Sequence, residues 1–199
     1  MGQDQAVSSD QIVSLNVKLT KAREAASSAR KKLALRRVIR ESETLLKKHA
    51  SSPNRYEVLN ILFRSQQVLV SLDDSAANRK AFLATCAKLA AAPNQYAAMR
   101  LDADLLLTKT ESARQGADSH ARSDALRPLV ERYRDTEVET KVIRISMIMA
   151  LEFGNTKLVN DLRKIVAERF PGDMGLINFQ REKLAGQVFG APFIGTFQR

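Results

Sequence analysis

Apolar positions recur along this chain at steps of three and four residues, the spacing of one face of an α-helix. The first stripe runs through Ile12, Leu15, Leu19, Ala22, Ala26, Ala29 and Leu33. Ser9 or Asp10 is placed to cap it, because a side-chain oxygen there can accept an orphaned backbone N–H. The middle of the stripe is alanine, which permits close packing and buries little area. Ser27-Ser28 offers a break, and the pattern resumes at Leu35, Val38, Ile39, Leu45 and Leu46 to end near His49. One long helix or two in series both fit. Ser51-Ser52-Pro53-Asn54 stops the helix, since Pro removes a donor and restricts the residue before it.

The same reading continues to the far end. Tyr56 to Val70 is a helix with Leu59, Leu62, Phe63, Gln66 and Leu69 or Val70 along one side. Asp73-Asp74-Ser75 makes a turn and a cap, and Phe82, Leu83, Cys86, Leu89 and Ala90 form the next stripe. Tyr96 to Arg114 follows, with Met99, Ala103, Leu106 and Leu107 inward, then a loop holding Gly116. A short helix is expected over 123–133 with Pro128 in its first turn, where Pro is tolerated. Thr136 to Phe153 is strongly apolar, with Val138, Val142, Ile145, Met149 and Phe153 in register and Ile143, Met147 and Ile148 beside them. Gly154-Asn155 ends it where a left-handed residue is needed. Thr156 caps a helix that buries Leu158 or Val159, Leu162, Ile165 or Val166 and Phe170. Pro171-Gly172 breaks the chain before a last helix from Asp173 to Leu184.

Pro93-Asn94-Gln95-Tyr96 repeats Pro53-Asn54-Arg55-Tyr56 at a spacing of 40, and Ala90 repeats Ala50 at the same offset. A period near 40 belongs to arrays of helical hairpins. The expected fold is therefore all-α: seven to nine helices in antiparallel pairs, stacked as a short right-handed array. Residues 1–9 read as a loose polar lead, 10–185 as one helical-repeat domain and 186–199 as an extended tail. That tail, with three Gly, one Pro and three Phe in GQVFGAPFIGTFQR, reads as the entrance to a further domain.

Charge and chemistry narrow the function classes. Lys and Arg outnumber Asp and Glu by 32 to 22, a net +10. The segment 18–48 holds 11 basic against 3 acidic residues, so +8 of the net +10 lies there. Arg30, Lys31, Lys32, Arg36, Arg37 and Arg40 are the candidate anion-binding residues. They could meet nucleic acid, an anionic membrane or an acidic partner. No aromatic platform is interleaved for stacking bases, and the alanine-rich apolar side is weak for a membrane helix. No run of 18 apolar residues spans a membrane, and MGQDQAVSSDQ has neither the basic nor the apolar region of a secretory signal.

Catalytic chemistry finds little footing. There is no phosphate loop and no dinucleotide fingerprint. His49 and His120 are far apart and lack partners at metal-ligand spacing, and the single Cys86 sits on an apolar face as a buried structural thiol. Asp102 with Asp104, and Glu137 with Glu139, diverge around their helices. No enzyme site, cofactor or metal is expected.

The segments GNTKLVNDLRKIVAERFPGD and REKLAGQVFGAPFIGTF, within residues 150–199, resemble the region ahead of the thioredoxin-like domain in planctomycete redoxin-type proteins. The resemblance implies a TPR-like helical region preceding an extracytoplasmic thiol-disulfide oxidoreductase domain. This chain has no Cys-x-x-Cys, so no catalytic residue carries over. The TPR likeness is loose, because such units repeat every 34 residues. The expected function is non-catalytic: a scaffold for a protein or peptide, or for a C-terminal domain of its own. Arg55, Tyr56, Gln95, Tyr96 and Arg100 are the candidate contact residues, with packing at the head of each hairpin as the rival role for both tyrosines. Binding of nucleic acid or an anionic surface by the basic helix is the alternative.

Overall fold

A computed structural model describes residues 6–114, 118, 121 and 124–184 of the chain. Every regular element among them is helical. In chain order they are α1 (Ser9–Glu24), α2 (Ser28–Lys48), α3 (Arg55–Leu72), α4 (Ala76–Ala90), a 3₁₀ turn (Asn94–Tyr96), α5 (Ala97–Arg114), α6 (Arg127–Arg132), α7 (Glu139–Glu152), α8 (Thr156–Arg169) and α9 (Met174–Leu184). The expected tail 186–199 lies outside the described residues.

Two compact units divide the chain, one up to Leu107 and one from Thr108. The sequence reads 10–185 as a single run, because nothing in the hydrophobic pattern of α5 marks the boundary that falls within it.

In the first unit the N-terminal lead is anchored. Ser8 caps α1 one residue before the expected Ser9 or Asp10, and Gln11 reaches back to Ser8 N–H at 3.2 Å to complete a capping box. Val7 is buried, its N–H donating to Ser52 Oγ and Asn54 Oδ1 at 3.2 and 3.1 Å, while Asn54 Nδ2 donates to its carbonyl at 2.8 Å. The loose lead expected over 1–9 is thus fixed at Val7, because a polar turn 45 residues away offers both donors and acceptors. At Ser27-Ser28 the chain makes two helices, with Ser27 Oγ accepting from Arg30 N–H.

Neighbouring helices run antiparallel. Lys18 of α1 meets Glu41 of α2, Arg36 of α2 meets Asp73 just after α3, and Phe63 of α3 meets Phe82 of α4 with ring centroids 5.3 Å apart. α3 is buried on two sides. Val58, Ile61 and Leu69 join Ile12, Leu15, Leu19, Leu35 and Val38 in one core. Leu59, Leu62 and Phe63 join Phe82, Cys86, Leu89 and Ala103 in another. A helix between two cores needs apolar residues on more than one face, and half of the 18 residues of α3 are Val, Leu, Ile or Phe.

In the second unit α7 packs against α6, α8 and α9. It buries Val142, Ile143, Ser146, Met147, Met149 and Ala150. Ile148, expected in the apolar stripe, faces outward at 38% exposure. Gly154 takes φ +69°, the left-handed value its place after α7 requires. Asn155 rather than Thr156 caps α8, accepting from Leu158 N–H at 2.9 Å. α6 is only six residues long, with Pro128 in its first turn. The 40-residue offset from α4 points to 116–130. Within that stretch the described residues form a turn at 125–126, so the second block does not reproduce the long second helix of the first.

Candidate functional site

α2 carries its arginines on one side. Leu35, Val38 and Ser42 are buried, while Arg30, Arg36, Arg37 and Arg40 are exposed and Lys31 and Lys32 are half-buried. At 100° per residue, Arg30, Leu33, Arg36, Arg37, Arg40 and Lys47 share the face opposite the core, a row about 25 Å long. Leu33 in the middle of it is 51% exposed. Arg36 is held by Asp73 at 3.1 Å, whereas Arg30, Arg37 and Arg40 have no ion pair among the described residues.

Two members of this row, Arg37 and Arg40, reach the seam between α1 and α2. Two clefts open there, on either side of the Lys18–Glu41 bridge, which measures 2.5 Å. One, of about 520 Å³, is lined by Asp10, Gln11, Ser14, Leu15, Lys18, Arg40, Glu41, Thr44 and Leu45. The other, of about 290 Å³, is lined by Lys18, Lys21, Ala22, Ala34, Arg37, Val38 and Glu41. Small side chains at Ala22 and Ala34 leave the second space unfilled. Lys18, Lys21, Arg37 and Arg40 thus border apolar depressions, and Glu41 offsets Lys18 alone. The α1 contribution escapes a reading of the basic run, because Lys18 and Lys21 join Arg37 and Arg40 only through helix pairing.

The repeated Pro-Asn-x-Tyr segments form two equivalent turns. Ser52 N–H donates to His49 O at 3.1 Å, and Ala92 N–H donates to Leu89 O at 3.0 Å, the same bond 40 residues on. The turns rest on each other. Tyr56 and Tyr96 have ring centroids 5.1 Å apart, and Tyr96 Oη donates to Pro53 O at 2.8 Å. Arg55 lies over the Tyr56 ring at 4.9 Å and donates to Ala50 O at 2.8 Å. Arg100, expected at a surface, is 3% exposed; it donates to Ala92 O at 2.6 Å and to Asn94 Oδ1 at 3.0 Å, with Asp104 at 3.9 Å. Burial follows from α5 turning Arg100 back under the turn whose carbonyl it satisfies. Of the five candidate contact residues, Gln95 alone is exposed, and four are engaged within the chain.

The remaining candidates hold no converging chemistry. Cys86 is fully buried, and burial pushes its thiol up to about 12. His49 closes α2, half-buried, and His120 lies outside the described residues. No group of three His, Cys, Asp or Glu side chains able to hold a metal occurs among the described residues. No helix there is long and apolar enough to cross a membrane. A cluster that the sequence reading missed joins Arg169 to Glu139 and Asp135, the last at 2.6 Å, with Asp135 N–H also donating to Glu139 Oε2 at 2.7 Å. Arg169 lies 30 and 34 residues from its two carboxylate partners, so no local spacing announces the cluster. No protein-family model, curated protein or solved structure matches the chain.

Proposed function

We propose that this chain is a non-catalytic interaction module, a TPR-like right-handed array of helical hairpins, that takes an acidic protein segment along the α1/α2 seam. The observation that carries the reading is the set of exposed cations, Lys21, Arg37 and Arg40, beside apolar clefts with no carboxylate partner of their own. Such a border attracts acidic side chains, while Leu33 and the clefts offer apolar contact. On α2 the cations without an ion pair lie in one row, edged by Glu43 on one side and by the Lys18–Glu41 pair on the other, with Lys21 of α1 across the seam. That width suits one extended or helical segment better than the broad phosphate surface of a duplex. The residues first expected at a groove, Arg55, Tyr56, Tyr96 and Arg100, instead hold the turns together.

The resemblance of residues 150–199 to redoxin-type proteins extends the proposal. It would place the module ahead of a thioredoxin-like domain in an extracytoplasmic protein, with that domain as one source of the acidic segment.

Fluorescence anisotropy with labelled poly-L-glutamate and with a 15-base-pair DNA duplex tests the binding reading. The full chain is expected to bind poly-L-glutamate, and Arg37→Glu with Arg40→Glu to lose at least tenfold. Tighter binding of the duplex, with a steep salt dependence removed by the same substitutions, would replace this reading with the nucleic-acid alternative. Binding unaffected by the two substitutions would reject the seam.

A further inference from the structure

α3 lies between α2 and α4, and a third cleft, of about 470 Å³, opens over it between those two helices. Leu59, Leu62 and Gln66 of α3, three and four residues apart on one face, form its floor. Leu46 of α2 and Ala81 and Ala84 of α4 add apolar walls. The cleft uses the edge of α2 away from the α1 seam, which Arg37, Arg40 and Glu41 border instead.

Gln66 is 5% exposed, and its Oε1 is buried without a hydrogen-bond partner. Its Nε2 has none either among the described residues. A buried amide with neither end met keeps its desolvation cost. Ser42 and Ser146 also hold a buried unpartnered hydroxyl, and Arg23, Arg100 and Gln180 a buried unpartnered nitrogen, but none of these five lines the cleft. Gln66 does, and a half-turn about its last bond brings either amide atom to the opening. Lys47 and Lys88 also line the cleft, exposed and with no ion pair among the described residues. α2 and α4 both run antiparallel to α3, so these two lysines flank the Leu59 end, about 10 Å along α3 from Gln66.

An extended peptide end answers both features. One residue in extended conformation turns its N–H and C=O the same way, a donor and an acceptor for a single amide. About three residues further on, at roughly 3.3 Å per residue, the terminal carboxylate reaches the lysine pair. Apolar side chains between the two points rest on Leu46, Leu59 and Leu62. Glu43, on the same cleft and also without an ion pair, disfavours acidic ones. We infer that this cleft takes the free C-terminal end of a peptide whose last residues are apolar, its carboxylate held by Lys47 and Lys88 and its backbone by Gln66. The site is separate from the α1/α2 seam and stands whether or not that seam binds an acidic segment.

Isothermal titration calorimetry of the full chain with N-acetyl-Ala-Leu-Leu tests it, set against the same peptide ending in a primary amide. The free-carboxylate form should bind saturably and about tenfold more tightly than the amide form. Lys47→Gln with Lys88→Gln should remove that preference. Gln66→Leu should weaken both forms about tenfold, because the peptide N–H and C=O lose their partner, and should unfold in urea no earlier than wild type. Arg37→Gln with Arg40→Gln should leave binding unchanged, which keeps a failure here apart from a failure at the seam. No saturable heat, equal affinity for the two forms, or affinity indifferent to Gln66→Leu overturns the site. So does a Gln66→Leu chain less stable than wild type, since the amide would then be serving the fold. Should the lysine variants not fold, the Gln66 side-chain amide resonances of the wild-type chain give the second reading. A saturable shift with the free-carboxylate peptide supports the site, and unmoved resonances reject it.

Discussion

Cys86 shows what burial does to a single group. Its thiol lies in the core shared by α3, α4 and α5, and removal from water pushes its pKa from 9.0 up to about 12. Below pH 9 the folded and unfolded chains both keep the proton. Between 9 and 12 the unfolded chain releases it and the folded chain retains it. The unfolded state therefore binds fewer protons there, and stability falls as pH rises through that window. Urea midpoints measured from pH 8 to pH 10.5 should decline more steeply for the wild type than for Cys86→Ala; equal slopes would refute this account. The buried position of Cys86 was legible because Phe82 and Leu89 flank it at helical spacing. Arg100 was not legible. An arginine four residues after a tyrosine on a new helix reads as solvated, and only the fold of the turn shows that Ala92 O and Asn94 Oδ1 await it.

At the scale of elements, periodicity identified the helices well, since a stripe of apolar residues at three and four steps has one simple realisation. Ends were harder. Ser8 caps α1 because Gln11 answers it from three residues on, and Asn155 caps α8 because its side chain reaches Leu158 N–H. In both cases an adjacent residue of equal capping power competes in the sequence. Contacts between elements left no local trace at all. Glu139 at the start of α7 is 5% exposed, and its charge is met by Arg169 at the end of α8. Asp135, held at φ +61°, closes the cluster just before α7. Breaking such a pair from one side strands a buried charge. Arg169→Met should therefore cost about 3–5 kcal/mol, measured by urea unfolding. Adding Glu139→Gln to it should restore a large part, because the stranded carboxylate is then gone. A double variant no more stable than the single one would show that Arg169 acts by packing on Phe170, which it overlies at 5.5 Å.

Over the whole molecule the electrostatic balance is lopsided. Of the net +10, +8 belongs to residues 18–48, which form little more than the second half of α1 and all of α2. That imbalance was legible by counting. Its arrangement was not, because Lys18 and Lys21 approach Arg37 and Arg40 only when the two helices pair antiparallel. Like charges gathered on one surface work against the folded state and are screened by salt. Such a surface persists when binding uses it, which sets function against stability. Replacing Arg37 and Arg40 by Gln should accordingly raise the urea midpoint at 20 mM NaCl by an amount equivalent to roughly 0.5–1 kcal/mol. At 500 mM NaCl, where the Debye length is only a few ångströms, the gain should shrink toward zero. The wild-type chain should itself become more stable across that range. A variant less stable than wild type at both salt concentrations would mean that the two arginine stems hold α1 against α2 by packing. The seam would then be a structural joint, and its charge an incidental property of it.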